Sequence, residues 1–503
     1  MHGFEQHFGW YNSTNIQIVS DSRIALDKGL INGCFGVGAF LGALVNPVIA
    51  DHFGRRPSLF VSAAVFVIGA TIQILSPAGD SAFAVMWTGR AIGGFGIGML
   101  SMLVPIYISE CAPEHKRGLL GSLWQMATVT GILIASIANV GLEHVEWGWR
   151  ISYGGNIPIA VLMGLLFLCL PESPRWLATK DKKEQLSDAL ALLRFEDEVE
   201  AETAELTAEV EEERHLGSAS WVEIFSTANS MRYRVLLGCA LQMFQQLSGI
   251  NAVMFYAPEI LKGFFDSTTS LYANLGLMSV NFIATFYCLY AIDKFGRAKL
   301  LFLGGLVMTL MLVGLIVLSA YNEANDNVKW VGWAVFSFAA IFVANFAYSW
   351  GPIIWVACGE MFPLRSRGKA VGLTTATNWI CTTIVGAIFP IAKDASLTAC
   401  FAFFACFIGC GTAVVYLFLP ETANLTILQI DAVFNCHKPK CNRSGFCCSK
   451  APDPDAKGSP HGGATNDTLA LEHPIQVPSS RFSRHTGRYS YDSERTSSAH
   501  VMP

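Results

Sequence analysis

DHFGRRP at residues 51–57 stands between two apolar blocks, 28–50 and 58–77, and returns 242 residues later as DKFGRAK at 293–299. Two further stretches recur in the same order. ECAPEHKRG at 110–118 returns as GEMFPLRSRG at 359–368, and PESPRW at 171–176 returns as PETANL at 420–425, with offsets of 250 and 249 residues. Three matched signatures at nearly one offset mark a duplicated chain. Two copies in parallel order make two helical bundles related by an axis along the membrane normal.

Outward from these loops the sequence is a series of apolar blocks near 28–50, 58–77, 82–108, 119–140, 151–170, 235–258, 269–292, 299–320, 330–357, 370–391 and 396–419. About 20 residues of helix cross a hydrocarbon core about 30 Å thick. Backbone polar groups in hydrocarbon must pair within the segment, which selects helices, and the alternation of barrel strands is absent. Eleven spans are expected. Of 503 residues 52% are apolar and 15% charged, against about 25% charged in soluble domains. That composition excludes a soluble enzyme, a disulfide scaffold and a nucleic-acid binder. The 14 cysteines, Cys169, Cys239, Cys288 and Cys406 among them, fall mostly inside apolar blocks and read as small hydrophobes. Residues 1–27 lack the apolar core of a signal peptide.

Loops 51–57, 109–118, 172–234, 293–299 and 359–369 hold 18 Lys/Arg, and the alternate set holds four. Positive loops stay in the cytoplasm. The expected organisation is an outer segment 1–27, a five-span bundle 28–171, a charged helical linker 172–234, a six-span bundle 235–419 and a cytoplasmic tail 420–503. Asn12-Ser13-Thr14 is a glycosylation sequon on the outer side. Beyond about 435 the tail is rich in Ser, Pro, Gly, His and Arg, cannot bury enough apolar surface to fold, and reads as disordered. Cys436, Cys441, Cys447 and Cys448 lie there, without a zinc-finger spacing. Neither a metal nor a cofactor is expected. No G-x-x-x-x-G-K-[ST] motif points to ATP, and GGFGIG at 93–98 follows no strand, so its glycines read as helix-packing positions.

The second copy has two blocks before its DKFGR loop and the first has one. Repeat symmetry therefore calls for twelve spans, of which this sequence holds eleven. Arg90, near the outer end of its block, needs a partner at that depth, which a carboxylate on the twelfth helix would supply; snorkelling to the headgroups is the alternative.

In order along residues 28–430, DHFGRRP, GRAIGGFGIG, PIYISECAPEHKRG, PESPRWL, QQLSGINAVMFY, DKFGR, WGPIIWVACGEMFPLRSRG and PETANLTILQIDAVF resemble the sugar porter family of the major facilitator superfamily. The resemblance implies an all-α polytopic major facilitator fold and no enzyme activity. It implies transport of a neutral hexose or pentose by alternating access, as uniport or proton symport, in the plasma membrane.

Cytoplasmic charges recur at matched positions: Asp51, Arg55, Arg56, Glu110, Arg117, Glu172 and Arg175 in the first copy, Asp293, Arg297, Glu360 and Arg367 in the second. The plain reading is a topology signal. The repeated acids go beyond it, and the family resemblance implies a gate whose pairs form across the halves when the cytoplasmic side is closed. Ala298 stands where the family usually has a second Arg.

A sugar offers several hydroxyls and an apolar ring face, so its site needs neutral amides and an aromatic plate. Gln245, Gln246 and Asn251 lie on one block that a break at Ser248-Gly249 would let converge; Gln125, Asn281, Trp355 and Trp379 lie on others. By resemblance these match the family's sugar-contacting positions. Helix–helix hydrogen bonding is the alternative for any one of them. A carrier of another polyol or acid, such as inositol or quinate, and a transport-inactive sensor or truncated isoform are the rival functions.

Overall fold

The computed structural model describes residues 2–11, 17–79, 81–113, 117–216, 220–227, 230–262, 264–325, 329–423, 425 and 427–435. The sequon and the segment from residue 436 onward, with its four cysteines, lie outside the described residues. So do the side chains of Arg117 and Asp293.

The first half comprises α1 (His2–His7), α2 (Asp21–Phe53), α3 (Arg55–Ile74), α4 (Ala82–Cys111), α5 (Arg117–Gly141), α6 (Gly148–Gly154) and α7 (Asn156–Cys169). The linker holds α8 (Pro174–Thr179), α9 (Lys183–Leu193), α10 (Glu196–Leu216) and α11 (Trp221–Ile224). The second half comprises α12 (Met231–Leu247), α13 (Ile250–Leu261), α14 (Ser267–Phe295), α15 (Arg297–Ala324), α16 (Lys329–Tyr348), α17 (Trp350–Glu360), α18 (Arg367–Ala395) and α19 (Leu397–Phe418), with α20 (Ile427–Asn435) after it. Among the described residues ten helical stretches are long and apolar enough to cross a membrane, α6–α7 and α16–α17 counting as one each. The block expected at 235–258 is the remaining crossing, split into α12 and α13 by Gly249 at φ +86°.

The first long helix starts at Asp21, earlier than the apolar edge at residue 28. Its polar first turns fold because α1 and Trp10 cover them. Trp10 Nε1 donates to buried Asp27 Oδ2 (3.1 Å), and Arg23 pairs with Asp27 (3.1 Å). Phe8, Ile31, Ala82, Met86 and Trp149 form a small core there. Segment 1–27 is thus partly helical and docked. The linker likewise has its own core of Trp176, Leu177, Leu186, Leu190 and Val210, so it is more than a set of solvated helices.

The glycine stripes work by close approach. A Cβ on Gly38 would sit 2.0 Å from the Ala91 carbonyl oxygen, and one on Gly98 2.0 Å from that of Ala39, so α2 and α4 meet backbone to backbone. Helices α2 and α18, one from each half, also pack along one another, with Gly36 against Thr383 and Gly372 against Pro47.

The repeated loops take one geometry twice. Gly54 and Gly296 have φ of +104° and +89° and turn α2 into α3 and α14 into α15. At each turn a carboxylate caps the new helix. Glu172 Oε1 accepts from the backbone N–H of Arg55 (2.8 Å) and Arg56 (3.2 Å); Glu421 accepts from those of Arg297 (2.8 Å) and Ala298 (3.1 Å). A negative charge at a helix N-terminus meets unpaired donors and the positive end of the dipole.

Candidate functional site

The repeat extends to the charges expected to form the gate. The Arg55 guanidinium grips Glu110 with two bonds of 3.0 Å and also donates to Asp51 (3.0 Å). In the second half Arg297 bonds Glu360 (3.1 Å), whose other oxygen accepts from Thr422 (2.8 Å). Arg56 donates to the Leu168 carbonyl, Arg367 donates to that of Phe362, and Arg175 lies in the first turn of α8. Arg55–Glu110 and Arg297–Glu360 each close within their own half; the pairing across the halves was expected for a closed cytoplasmic side. Glu421, absent from the expected set, is the counterpart of Glu172. The PESPRW–PETANL repeat carries that signal.

Arg90 meets no carboxylate within ion-pair distance among the described residues. It donates to the Ile31 carbonyl and Asn32 Oδ1 (both 3.2 Å) and lies 4.7 Å over the Phe35 ring. Its partners among the described residues are a backbone carbonyl, an amide and a ring face.

Between the halves lies a cavity of about 730 Å³. Gln125, Gln245, Gln246, Asn251, Asn281, Trp355 and Trp379 all line it, from α5, α12, α13, α14, α17 and α18. No residue of its described lining carries an ionisable side chain.

The amides differ in what they have left to offer. Asn378, one turn from Thr382 on α18, is the hub. Its Nδ2 donates to Gln242 Oε1 (2.6 Å) and Gln245 Oε1 (2.7 Å), and its Oδ1 accepts from Gln246 Nε2 (2.6 Å). Gln245 Nε2 donates to the carbonyls of Trp350 (2.7 Å) and Gly351 (3.0 Å) in the first turn of α17. The inventory of Gln245 is spent on the fold. Gln246 accepts from Asn251 Nδ2 and keeps one N–H; Asn251 keeps its carbonyl. Gln125 and Asn281 make no side-chain hydrogen bond to a described residue, so their amides are open to the cavity. Trp379 Nε1 donates to Ser101 Oγ (2.9 Å), tying α18 to α4, and its ring meets Phe35 edge-on.

The break in α16–α17 falls at Ser349, just ahead of Gly351-Pro352. Pro352 then sits in the first turn of α17, where its missing N–H costs nothing, and Trp355 projects one turn on. Sequence reasoning left Gln242 and Trp124 out of the site. Gln242 lies one turn before Gln246, so helical spacing pointed to it; Trp124 is adjacent to Gln125, and adjacent helical residues do not share a face, so spacing did not.

A family profile described as "Sugar (and other) transporter" matches residues 1–434. The chain is 33% identical over 447 residues to hexose transporter 2 of Kluyveromyces lactis, covering 86% of this chain and 77% of the relative. It is 31% identical to the glucose transporter GlcP of Staphylococcus epidermidis, covering 80% and 88%. Among solved structures, the proton:xylose symporter XylE bound to 6-bromo-6-deoxy-D-glucose superposes with a TM-score of 0.74 at 27% identity, covering 86% of this chain and 93% of that one. The inward-open form of XylE from E. coli gives 0.66 at 27% identity, covering 86% and 93%.

Proposed function

The chain belongs to the sugar transporter family and has its major facilitator fold, and from that premise we propose that it carries a neutral monosaccharide, a hexose or pentose, by alternating access. One observation carries the reading: open, uncharged amides and tryptophan rings from both halves converge on a single cavity without an ionisable lining residue. Hydroxyls need donors and acceptors, and the ring face needs an apolar plate. Gln125, Gln246, Asn251 and Asn281 supply the first, Trp355 and Trp379 the second, and Gln245 holds the broken helices that aim them. A carboxylate substrate such as quinate would call for a cation that this lining lacks. The membrane proposed is the plasma membrane, with the Lys/Arg-rich loops inside.

The test is counterflow of radiolabelled sugars in proteoliposomes. Exchange of labelled glucose or xylose, competed by unlabelled monosaccharide and lost in Gln246→Ala, is the expected result. Binding without counterflow would make the protein a sensor, and exchange of inositol alone would transfer the site to a different polyol. Uptake driven by an imposed inward proton gradient marks symport, and uptake indifferent to it marks uniport.

A further inference from the structure

Trp355 borders two cavities. One face lines the 730 Å³ chamber; the same residue lines a pocket of about 20 Å³ on the cytoplasmic side, with Pro105, Ser109, Gln242, Cys358 and Thr375. The ring is a partition. It does not stand alone, because Trp124 of α5 lies against it with ring centroids 4.9 Å apart and planes at 60°. The two rings belong to opposite halves, α5 and α17.

The pocket beneath has room for about one water and a mostly apolar lining, into which Ser109, Gln242, Arg367, Thr374 and Thr375 bring polar groups. A single water needs about 10–15 Å³. The Thr375 hydroxyl there is buried without a hydrogen-bond partner among the described residues, and an unmet buried hydroxyl is unfavourable. The walls of the pocket come from both halves, α4 on one side and α12, α17 and α18 on the other. A space between two bodies widens when they part, and the wider space would expose Ser109, Gln242 and Thr375 to a hydroxylated ligand.

We propose that Trp124 and Trp355 form a two-leaf floor to the central cavity, and that the pocket below it is the next station for the substrate on its way to the cytoplasm. This rests on the sugar-carrier reading. The leaves close by ring contact across the halves, a modest gain beyond burial. That is enough to bias the floor shut and small enough to let it open. Trp124 is therefore a further residue of the transport path, acting through Trp355 on its cavity face and through the halves' separation on its other.

Cys358 reports on the floor without any sugar. It lies one turn past Trp355, is 1% exposed and faces the lower pocket. The experiment treats the purified full-length protein with a small charged methanethiosulfonate and follows modification of the Cys358 peptide by mass spectrometry. Trp124→Ala is expected to speed modification at least fivefold over wild type, while Trp124→Phe, which keeps a ring leaf, stays within twofold. Melting temperatures accompany each measurement, and Trp124→Leu replaces the alanine variant if that one unfolds. Equal rates in folded wild type and ring-deleted protein would overturn the floor. So would equal acceleration by Phe and Ala. Wild-type sugar counterflow is measured separately, so a failed sugar reading and a failed floor give different results.

Discussion

At the scale of single residues, Gln245 and Gln246 are adjacent and chemically identical, yet the geometry separates them. Gln246 retains an N–H toward the cavity; Gln245 has spent both of its N–H groups on the carbonyls of Trp350 and Gly351. Gln246→Ala is expected to weaken monosaccharide binding at least tenfold, about 1.4 kcal/mol, with a smaller fall in melting temperature than Gln245→Ala, since its partners Asn378 and Asn251 also line the cavity. Gln245→Ala takes the acceptor from a buried Asn378 N–H and cuts the side-chain link from α12 to α17, and is expected to lose about 1–3 kcal/mol of stability, read as a lower melting temperature in detergent. If both variants lose only affinity, the division of labour is wrong. The sequence makes the amides legible as a class, since polar neutral side chains inside apolar blocks stand out. It does not make the partners legible: Asn378 is one Asn among several until the fold brings α12 beside α18. Arg90 was open to two readings for the same reason, because its Phe35 and Asn32 neighbours lie on another helix.

At the scale of elements, the repeated glycine turns each end in a carboxylate-capped helix. Removing the cap by Glu172→Ala or Glu421→Ala leaves N-terminal donors of α3 or α15 unmet. Each substitution is expected to cost about 0.5–2 kcal/mol, measured as lowered thermal stability, and near-equal losses would reflect the duplicated geometry. A loss confined to one half would argue that the repeat is only one of sequence. Helix α1 makes a second element-scale case. His7 Nε2 lies 3.1 Å from the Ser76 carbonyl oxygen. Burial, and then the nearby Arg150 charge, hold its pKa below the ordinary 6.5. Undocked α1 therefore binds the proton more readily, so docking is fully stable above about pH 6.5 and weakens as pH falls below it. Hydrogen exchange of residues 2–10, corrected for intrinsic rates, is expected to quicken on going from pH 7.5 to 5, and His7→Gln should flatten the difference. Span positions and the split of α12 from α13 were legible because apolar length and Ser248-Gly249 are local signals. The docking of α1 was not, since Trp10 finds Asp27 only through folding.

At the scale of the whole molecule, the halves are bridged at the end away from the Lys/Arg-rich loops, the outer end on the proposed orientation, by charges that no repeat or motif announces. Lys28 of α2 meets Glu259 of α13 at 2.5 Å, and Lys393 of α18 shares the same carboxylate at 3.5 Å. Beside them Asn32 Nδ2 donates to Tyr256 Oη (2.9 Å), which donates on to the Gly386 carbonyl (2.9 Å). The two ends thus differ in kind. The described cytoplasmic pairs Arg55–Glu110 and Arg297–Glu360 brace each bundle internally, and the outer pair bridges between bundles. Parting the halves at the outer end breaks the bridge and leaves the braces intact. The Lys28 and Glu259 side chains are 31% and 27% exposed, so the pair is worth about 0–1 kcal/mol after solvent screening, up to about a fivefold shift in the population of the outer-closed arrangement. Lys28→Glu places two carboxylates together and is expected to shift a spin-label distance between the outer ends of α2 and α13 toward longer values. Exchanging the pair, Lys28→Glu with Glu259→Lys, is expected to restore the distance only in part, because the new lysine at 259 then faces Lys393. Adding Lys393→Glu should complete the restoration. Full recovery without the third substitution would show that Lys393 takes no part in the bridge, and no lengthening in the single variant would show that the bridge does not hold the halves.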